Sequence, residues 1–347
     1  MTVILFKIIL VVVLFLISLG VAAYATYGER KIAAFLQDRI GPNRAGPFGL
    51  LQPIADGVKM FMKEEIIPNV SNKFLFVLGP SLFMVTALMT GSAIPWASGF
   101  EINGKLFELQ VVDLNIGILY IFGVVSLGVY GIMLGGWASN NKYSLLGAIR
   151  ASSQMISYEL AMGLCIISIV LMTGSASLRD IAASQNSGVW NIFPQLVGFI
   201  LFMTCALAEC NRTPFDLAEC ETELVGGYHT EYSSMKLGLY LFAEYINMFI
   251  SSALIATLYF GGYDIPFVND ANLPQNTAAI LQLVSMFAKT FFFIFFFMWI
   301  RWTLPRFRYD QLMRLGWQYM IPIAIINLIW SGVYTMFIKD GLDALVK

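Results

Sequence analysis

IILVVVLFLISLGVAAYATY, residues 8–27, runs for twenty positions without a charge. A hydrocarbon core about 30 Å thick needs about 20 apolar residues in α-helix to cross it. The stretch therefore reads as a membrane span. It is too long for the apolar region of a cleaved signal peptide, and no small-residue cleavage site precedes Tyr24. Seven more runs of helix length follow, at 74–96, 114–137, 155–174, 189–208, 237–263, 277–300 and 316–338. None is broken by turn signals at strand spacing, which argues against a β-barrel. In lipid the backbone must satisfy its own hydrogen bonds, so α-helix is the expected form. The expected fold is all-α: one polytopic membrane domain over residues 1–347 with eight transmembrane helices.

Composition agrees with that reading. Of 347 residues 58% are hydrophobic and 12% charged, where a soluble domain carries about 25% charged residues. A cytosolic enzyme, a disordered chain and a nucleic-acid binder are all excluded. A net charge of −1 offers no basic field for a polyanion.

Lys and Arg set the orientation. The loops after the first, third, fifth and seventh spans hold fifteen of them, against four on the opposite face. By the positive-inside rule those loops face the cytoplasm or matrix, and both termini lie on the periplasmic or intermembrane side. The outer loops have ordinary turn composition, and the inner loops hold the clustered polar residues.

The first inner loop, residues 28–73, contains ERKIAAFLQDRIGPNRAGPFGLLQPIADGVKMFMKEE from Glu29 to Glu65. Its Gly and Pro positions read as a rigid turn cluster. After it, Leu51, Ile54, Val58 and Phe61 recur at helical spacing opposite Gln52, Asp56, Lys59 and Lys63. That pattern predicts an amphipathic helix lying along the inner membrane surface. The second inner loop, 209–236, carries Glu209, Asp216, Glu219, Glu221, Glu223 and Glu231 against Arg212 and Lys236, and includes Asn211-Arg212-Thr213-Pro214-Phe215-Asp216-Leu217. A third, basic loop at 301–315 carries Arg301 and Pro305-Arg306-Phe307-Arg308-Tyr309-Asp310-Gln311-Leu312-Met313. These three motifs resemble those of the H-subunit family of respiratory NADH:quinone oxidoreductase, complex I, called subunit 1 in mitochondria.

The resemblance implies a membrane anchor that forms much of a quinone access tunnel and the start of a proton path. It implies Arg30, Arg39, Asp56, Lys59, Arg301 and Arg306 in the tunnel, with quinone as substrate. The implied partners are the peripheral-arm quinone-site and iron–sulfur subunits, small membrane-arm subunits and membrane lipid. The implied setting is a bacterial inner membrane, or alternatively a mitochondrial one.

Glu159 and Glu244 fall within spans, about five to seven residues from the inner face by the hydropathy runs, or roughly 8–11 Å at the helical rise. Intramembrane carboxylates are functional candidates by default because charge in hydrocarbon is expensive. With Glu209 at the end of the fifth span, they are expected to line a hydrated lateral path continuous with Asp56, Glu219, Glu221 and Glu223. Lys289, near mid-membrane, receives no role, and Lys7 is expected to snorkel to the outer interface.

The chain is expected to bind no metal and no covalent cofactor. Cys205, Cys210 and Cys220 lack the surroundings of an iron–sulfur site, His229 has no second His at ligand spacing, and no Gly-rich loop follows a strand. NADH oxidation therefore falls to other subunits, and no redox site is complete on this chain. Two other readings stand beside this one: the equivalent anchor of a membrane-bound hydrogenase, and a stand-alone transporter, for which no internal repeat is found.

Overall fold

The structure is a computed structural model that describes residues 3–102, 104–186, 189–217, 221–266 and 273–339. In chain order the elements are α1 (Val3–Leu36), α2 (Gln52–Met62), α3 (Lys73–Thr90), a hairpin of β1 (Phe100–Ile102) and β2 (Lys105–Phe107), α4 (Gly117–Ala138), α5 (Lys142–Thr173) and α6 (Leu178–Asn186). They continue with α7 (Leu196–Glu209), α8 (Glu221–Leu224), α9 (Ser234–Tyr259), α10 (Gln275–Thr303) and α11 (Tyr309–Phe337), the last widened to π geometry over Leu315–Met320. Among the described residues seven helices are long and apolar enough to cross a membrane: α1, α3, α4, α5, α9, α10 and α11. The eighth expected run, 189–208, becomes the fourteen-residue α7. At 1.5 Å per residue α7 is roughly 21 Å long, shorter than the hydrocarbon core.

Several helices outrun their apolar stretches. Helix α1 continues through Glu29 and Arg30 to Leu36, so the first motif begins inside a helix and not in a loop. Helix α5 begins at Lys142, where the Asn141 side chain accepts the Tyr143 backbone N–H at 2.9 Å, and ends at Gly174, a left-handed residue with φ +77°. Glu159 is therefore seventeen residues, about 26 Å, from the start of α5. Glu244 is ten residues, about 15 Å, into α9. Both helices begin before the apolar runs that hydropathy marks.

Close approach of α3, α4 and α9 depends on glycine. A Cβ added at Gly135 would lie 1.9 Å from the Tyr240 hydroxyl, which donates to the Gly131 carbonyl at 3.0 Å. One added at Gly79 would lie 2.9 Å from the Gly135 Cα. In lipid there is little hydrophobic drive between helices, so small residues that let backbones touch are what hold them.

The amphipathic helix forms as expected. In α2 the apolar residues Leu51, Ile54, Val58 and Phe61 are exposed, facing away from the rest of the chain, while Asp56 turns toward α1. Its lead-in turn needs Gly49, with φ +82°, because a Cβ there would sit 2.3 Å from the Pro42 carbonyl oxygen. Its far end is tied to the start of α9: Ser234 Oγ donates to the Met60 carbonyl at 3.0 Å, and Lys236 pairs with Glu65.

The side of the bundle expected to face outward is more structured than its turn composition suggests. The β1–β2 hairpin meets α10 where the Asn276 side chain accepts the Glu101 N–H at 2.8 Å. Arg179 pairs with Glu108 at 2.5 Å and Asp113 at 3.5 Å, and its hydrogen bond to Glu108 raises its pKa. Lys7 reaches the Gln110 carbonyl on this side. Lys289 plays a structural part, since its ammonium donates to the carbonyls of Phe260, Gly262 and Asp264 at 2.8, 2.9 and 2.7 Å. It thereby ties down acceptors beyond the C-terminus of α9, and the Ser285 hydroxyl shares the Asp264 carbonyl at 2.8 Å.

Gly135→Ala is expected to lower the yield of folded protein by overpacking, a cost of about 1–3 kcal/mol. Adding Tyr240→Phe removes the nearest clashing atom and restores part of the yield. Fluorescence-detected size exclusion of the single and double variants measures both.

Candidate functional site

The three motifs meet at one place. Glu29 on α1 is buried (6% exposed) and pairs with Arg301 near the end of α10. Its other oxygen, Oε2, accepts the Tyr245 hydroxyl at 2.7 Å and lies 3.7 Å from Arg212. Arg212 stacks on the Tyr245 ring at 4.1 Å and reaches Glu244, on α9, at 3.7 Å. Glu244 (2% exposed) also accepts the Tyr228 hydroxyl at 2.9 Å. Each carboxylate therefore has at least one guanidinium and one phenol, the counter-charge and hydrogen bond that a buried ion needs.

The Asn211–Leu217 motif is buried throughout and forms the floor of this cluster. Phe215 packs between Tyr158 at 5.3 Å and Phe307 at 5.7 Å. The Phe307 N–H donates to the Pro214 carbonyl at 3.2 Å, and Arg306 pairs with Asp216 at 3.2 Å. The second motif is thus docked on the third. Counting Asp216 and Arg306, three guanidinium groups, of which Arg212 is buried, Arg301 half-buried and Arg306 exposed, face three carboxylates.

Arg30 follows Glu29 on α1 but faces the other way, pairing with Asp56 at 2.9 Å, and Lys59 lies 3.6 Å from the same carboxylate. These residues line a cavity of about 110 Å³ between α1, α2 and α9, whose remaining wall includes Ala23, Pro53, Leu241, Phe242 and Tyr245. The cavity is polar at one end and apolar along its sides. It is smaller than the roughly 300–1,000 Å³ of an ordinary ligand pocket. Tyr245 contributes to this wall while its hydroxyl holds Glu29.

Glu209, at the end of α7, is buried (5% exposed), and its Oε1 has no hydrogen-bond partner among the described residues. Glu159, half-buried on α5, accepts the Ser126 hydroxyl from α4. In the acidic loop Glu223 pairs with Arg150 at 2.5 Å, and Glu231 accepts from Asn141 at 2.6 Å. Glu219 lies outside the described residues, as does the side chain of Glu221. Arg39 is exposed and bonded to Gln37 of its own turn at 2.8 Å, away from the cluster. Cys165, Cys205 and Cys210 are buried free thiols, and Cys220 lies outside the described residues.

Sequence reasoning passed over Glu29, Arg212, Tyr228, Tyr245 and Ser126 as site residues. The signal for Glu29 is its position one residue from Arg30 on a helix that outlasts its apolar run. The tyrosines carry no signal short of three-dimensional proximity.

A helical bundle of membrane-spanning length, with a buried carboxylate–guanidinium cluster beside a small cavity, defines the class of multi-pass membrane subunits. Residues 7–332 match the NADH dehydrogenase family, and the chain belongs to it. It is 67% identical over 326 residues to the NADH-quinone oxidoreductase H subunit 1 of Cytophaga hutchinsonii, covering 94% of this chain and 95% of that one. The H subunit of the Flavobacterium psychrophilum oxidoreductase is 58% identical over 335 residues, covering 96% and 98%, and subunit 8 of that of Rhodothermus marinus is 47% identical over 318, covering 89% and 91%.

Removing one partner of the buried pair leaves an uncompensated charge, so Arg301→Met is expected to destabilise the protein by about 3–5 kcal/mol. Glu29→Gln together with Arg301→Met is expected to lose less than the sum of the single changes. Thermal unfolding of the four proteins in detergent gives the coupling; additive losses would show that the pair does not interact.

Proposed function

We propose that the chain is the membrane subunit of a bacterial proton-translocating NADH-quinone oxidoreductase through which quinone enters from the lipid and from which protons are passed sideways into the membrane arm. Family membership and the names of the relatives support the coarser part, a multi-pass subunit of that oxidoreductase in a bacterial inner membrane. The relatives named above are all oxidoreductase subunits, which speaks against a hydrogenase anchor or a transporter. Termini on the periplasmic side follow from the distribution of Lys and Arg.

The observation that carries the finer reading is the adjacency of Glu29 and Arg30. One helix turn puts Arg30 on the passage with Asp56 and Lys59, and Glu29 on the acid cluster with Arg212 and Glu244. A polar headgroup moving past Arg30 is therefore one residue from the acids. Arg30, Asp56 and Lys59 offer charged hydrogen-bond partners to quinone carbonyls, while Ala23, Leu241 and Phe242 suit its isoprenoid tail. Arg301 and Arg306 act by holding Glu29 and Asp216, and Arg39 contributes to the surface against the peripheral arm. The acids Asp56, Glu159, Glu209, Glu219, Glu221, Glu223 and Glu244 form the proton path. No metal or resident cofactor belongs to the chain; quinone is its substrate, and the electrons arrive through partner subunits of the peripheral arm that carry the iron–sulfur centres.

A photoreactive quinone is expected to label residues 30–63 in the assembled complex, and excess quinone to suppress the label. Arg30→Ala is expected to raise the KM for quinone about tenfold with a smaller change in kcat, the signature of lost binding. Glu159→Gln and Glu244→Gln are expected to reduce protons pumped per quinone reduced in proteoliposomes while the complex still assembles. Normal pumping in both would remove these acids from the path.

A further inference from the structure

Glu209 carries a buried oxygen with no protein partner among the described residues, and that oxygen has somewhere to look. Glu209 lines an internal cavity of about 30 Å³ bounded by α3, α4, α5, α7 and α9. A site of about 10–15 Å³ on this measure already admits one water molecule, provided that 2–4 polar groups surround it. The polar groups here are Glu209, Asn247, Ser251 and Thr90. The hydroxyl of Thr90 is donated to the Ala87 carbonyl at 2.6 Å, which leaves its lone pairs facing outward. Ser251 Oγ already receives the Cys210 thiol at 3.7 Å, so its own proton is available to another acceptor. The rest of the wall is apolar, so these four groups fix where water sits.

Asn247 and Ser251 also have a regular relation to Glu244. Residues 244, 247 and 251 are spaced by three and four on α9, which puts them on one face of the helix. Glu244 is held at the motif cluster by Arg212 and Tyr228, while Asn247 and Ser251 open on the Glu209 cavity. A polar stripe thus climbs α9 from the cluster to the unpartnered oxygen of Glu209. On the far side of the same cavity, Phe122 and Val125 of α4 belong to the turn that carries Ser126, the donor to Glu159.

We propose that Asn247 and Ser251 hold one or two water molecules against Glu209 and that this bridge is the link between Glu244 and Glu209. The inference rests on the proton-path reading above and adds to it two positioning residues that carry no charge. The transfer balances simply. A carboxyl proton leaves Glu244 for the nearest water oxygen, that water gives up one of its own protons along the bridge, and Glu209 Oε1 takes a proton from the last water. No electrons move. Asn247 gives and gains no net proton; its amide orients the water.

The test uses the assembled complex in proteoliposomes. Glu209→Gln is measured first, for protons pumped per quinone reduced and for the infrared carboxyl band that it abolishes. Then Ser251→Ala, Asn247→Leu and the conservative Asn247→Gln are compared with the parent. Loss of one net hydrogen bond to the transferring water is expected to slow pumping about tenfold in Asn247→Leu. Ser251→Ala is expected to slow it less. Both are expected to shift the Glu209 carboxyl band, which is assigned by its absence in Glu209→Gln, and Asn247→Gln is expected to restore both readouts in part. A purely structural role would lower the amount of assembled complex without moving that band. If Glu209→Gln abolishes pumping while Ser251→Ala and Asn247→Leu leave both pumping and the band unchanged, the water bridge is wrong and the proton path stands. If Glu209→Gln pumps normally, the proton path itself fails, and the bridge with it. Should Asn247→Leu fail to assemble, an unmoved band in Ser251→Ala is enough to overturn the bridge.

Discussion

A carboxylate withdrawn from water inside a membrane protein needs a counter-charge and hydrogen bonds, and Glu29 sets that requirement for this chain. The need is met from far away in sequence. Arg301 comes from the end of α10, Arg212 from the turn after α7, and Tyr245 from α9. Satisfying one buried acid therefore gathers four segments at the inner end of the bundle. The third motif then closes over the second through Arg306–Asp216 and the contact of Phe307 with Phe215. The proposed quinone passage and the proposed proton path share this junction because α1 has one residue on each.

Helix α9 is the spine that makes the junction possible. It presents Glu244 and Tyr245 to the cluster, its start receives the end of α2, and Tyr240, six residues in, meets α3 and α4 at distances only glycine permits. Beyond its far end, Lys289 satisfies the carbonyls of the following turn. Glu244, Asn247 and Ser251 follow one another along one face of α9, which gives that face chemical continuity.

Hydropathy alone marks the membrane spans well, because lipid imposes the same requirement on each of them. Periodicity finds α2, since its apolar face has to meet lipid whatever else the protein does. What hydropathy misses is where helices stop. Glu29 reads as the first residue of a loop because it is charged, yet α1 runs on past it, since tertiary partners remove the cost of its charge. Helix α5 likewise starts at Lys142, well before the apolar run that holds Glu159. Ser126, Tyr228 and Tyr245 are silent in sequence, because a hydroxyl becomes part of a site only through the acid it meets. Depth alone assigns Lys289 no role, and its bonds to three carbonyls of the turn after α9 give it a structural one.

The distance in sequence between these partners has a consequence for how the protein is made. Glu29 and Arg301 are 272 positions apart. At synthesis rates of ~5–20 residues per second, α1 emerges roughly a quarter of a minute to a minute before Arg301 exists. Until Arg212 and then Arg301 are made, its carboxyl has neither of the two guanidinium groups that pair with it in the finished bundle. An ionised, unpaired acid in hydrocarbon costs several kcal/mol, so the nascent α1 waits with Glu29 at the water surface. Drawing it inward is a late event of biogenesis, and the cluster serves as a lock that only a nearly finished chain can close.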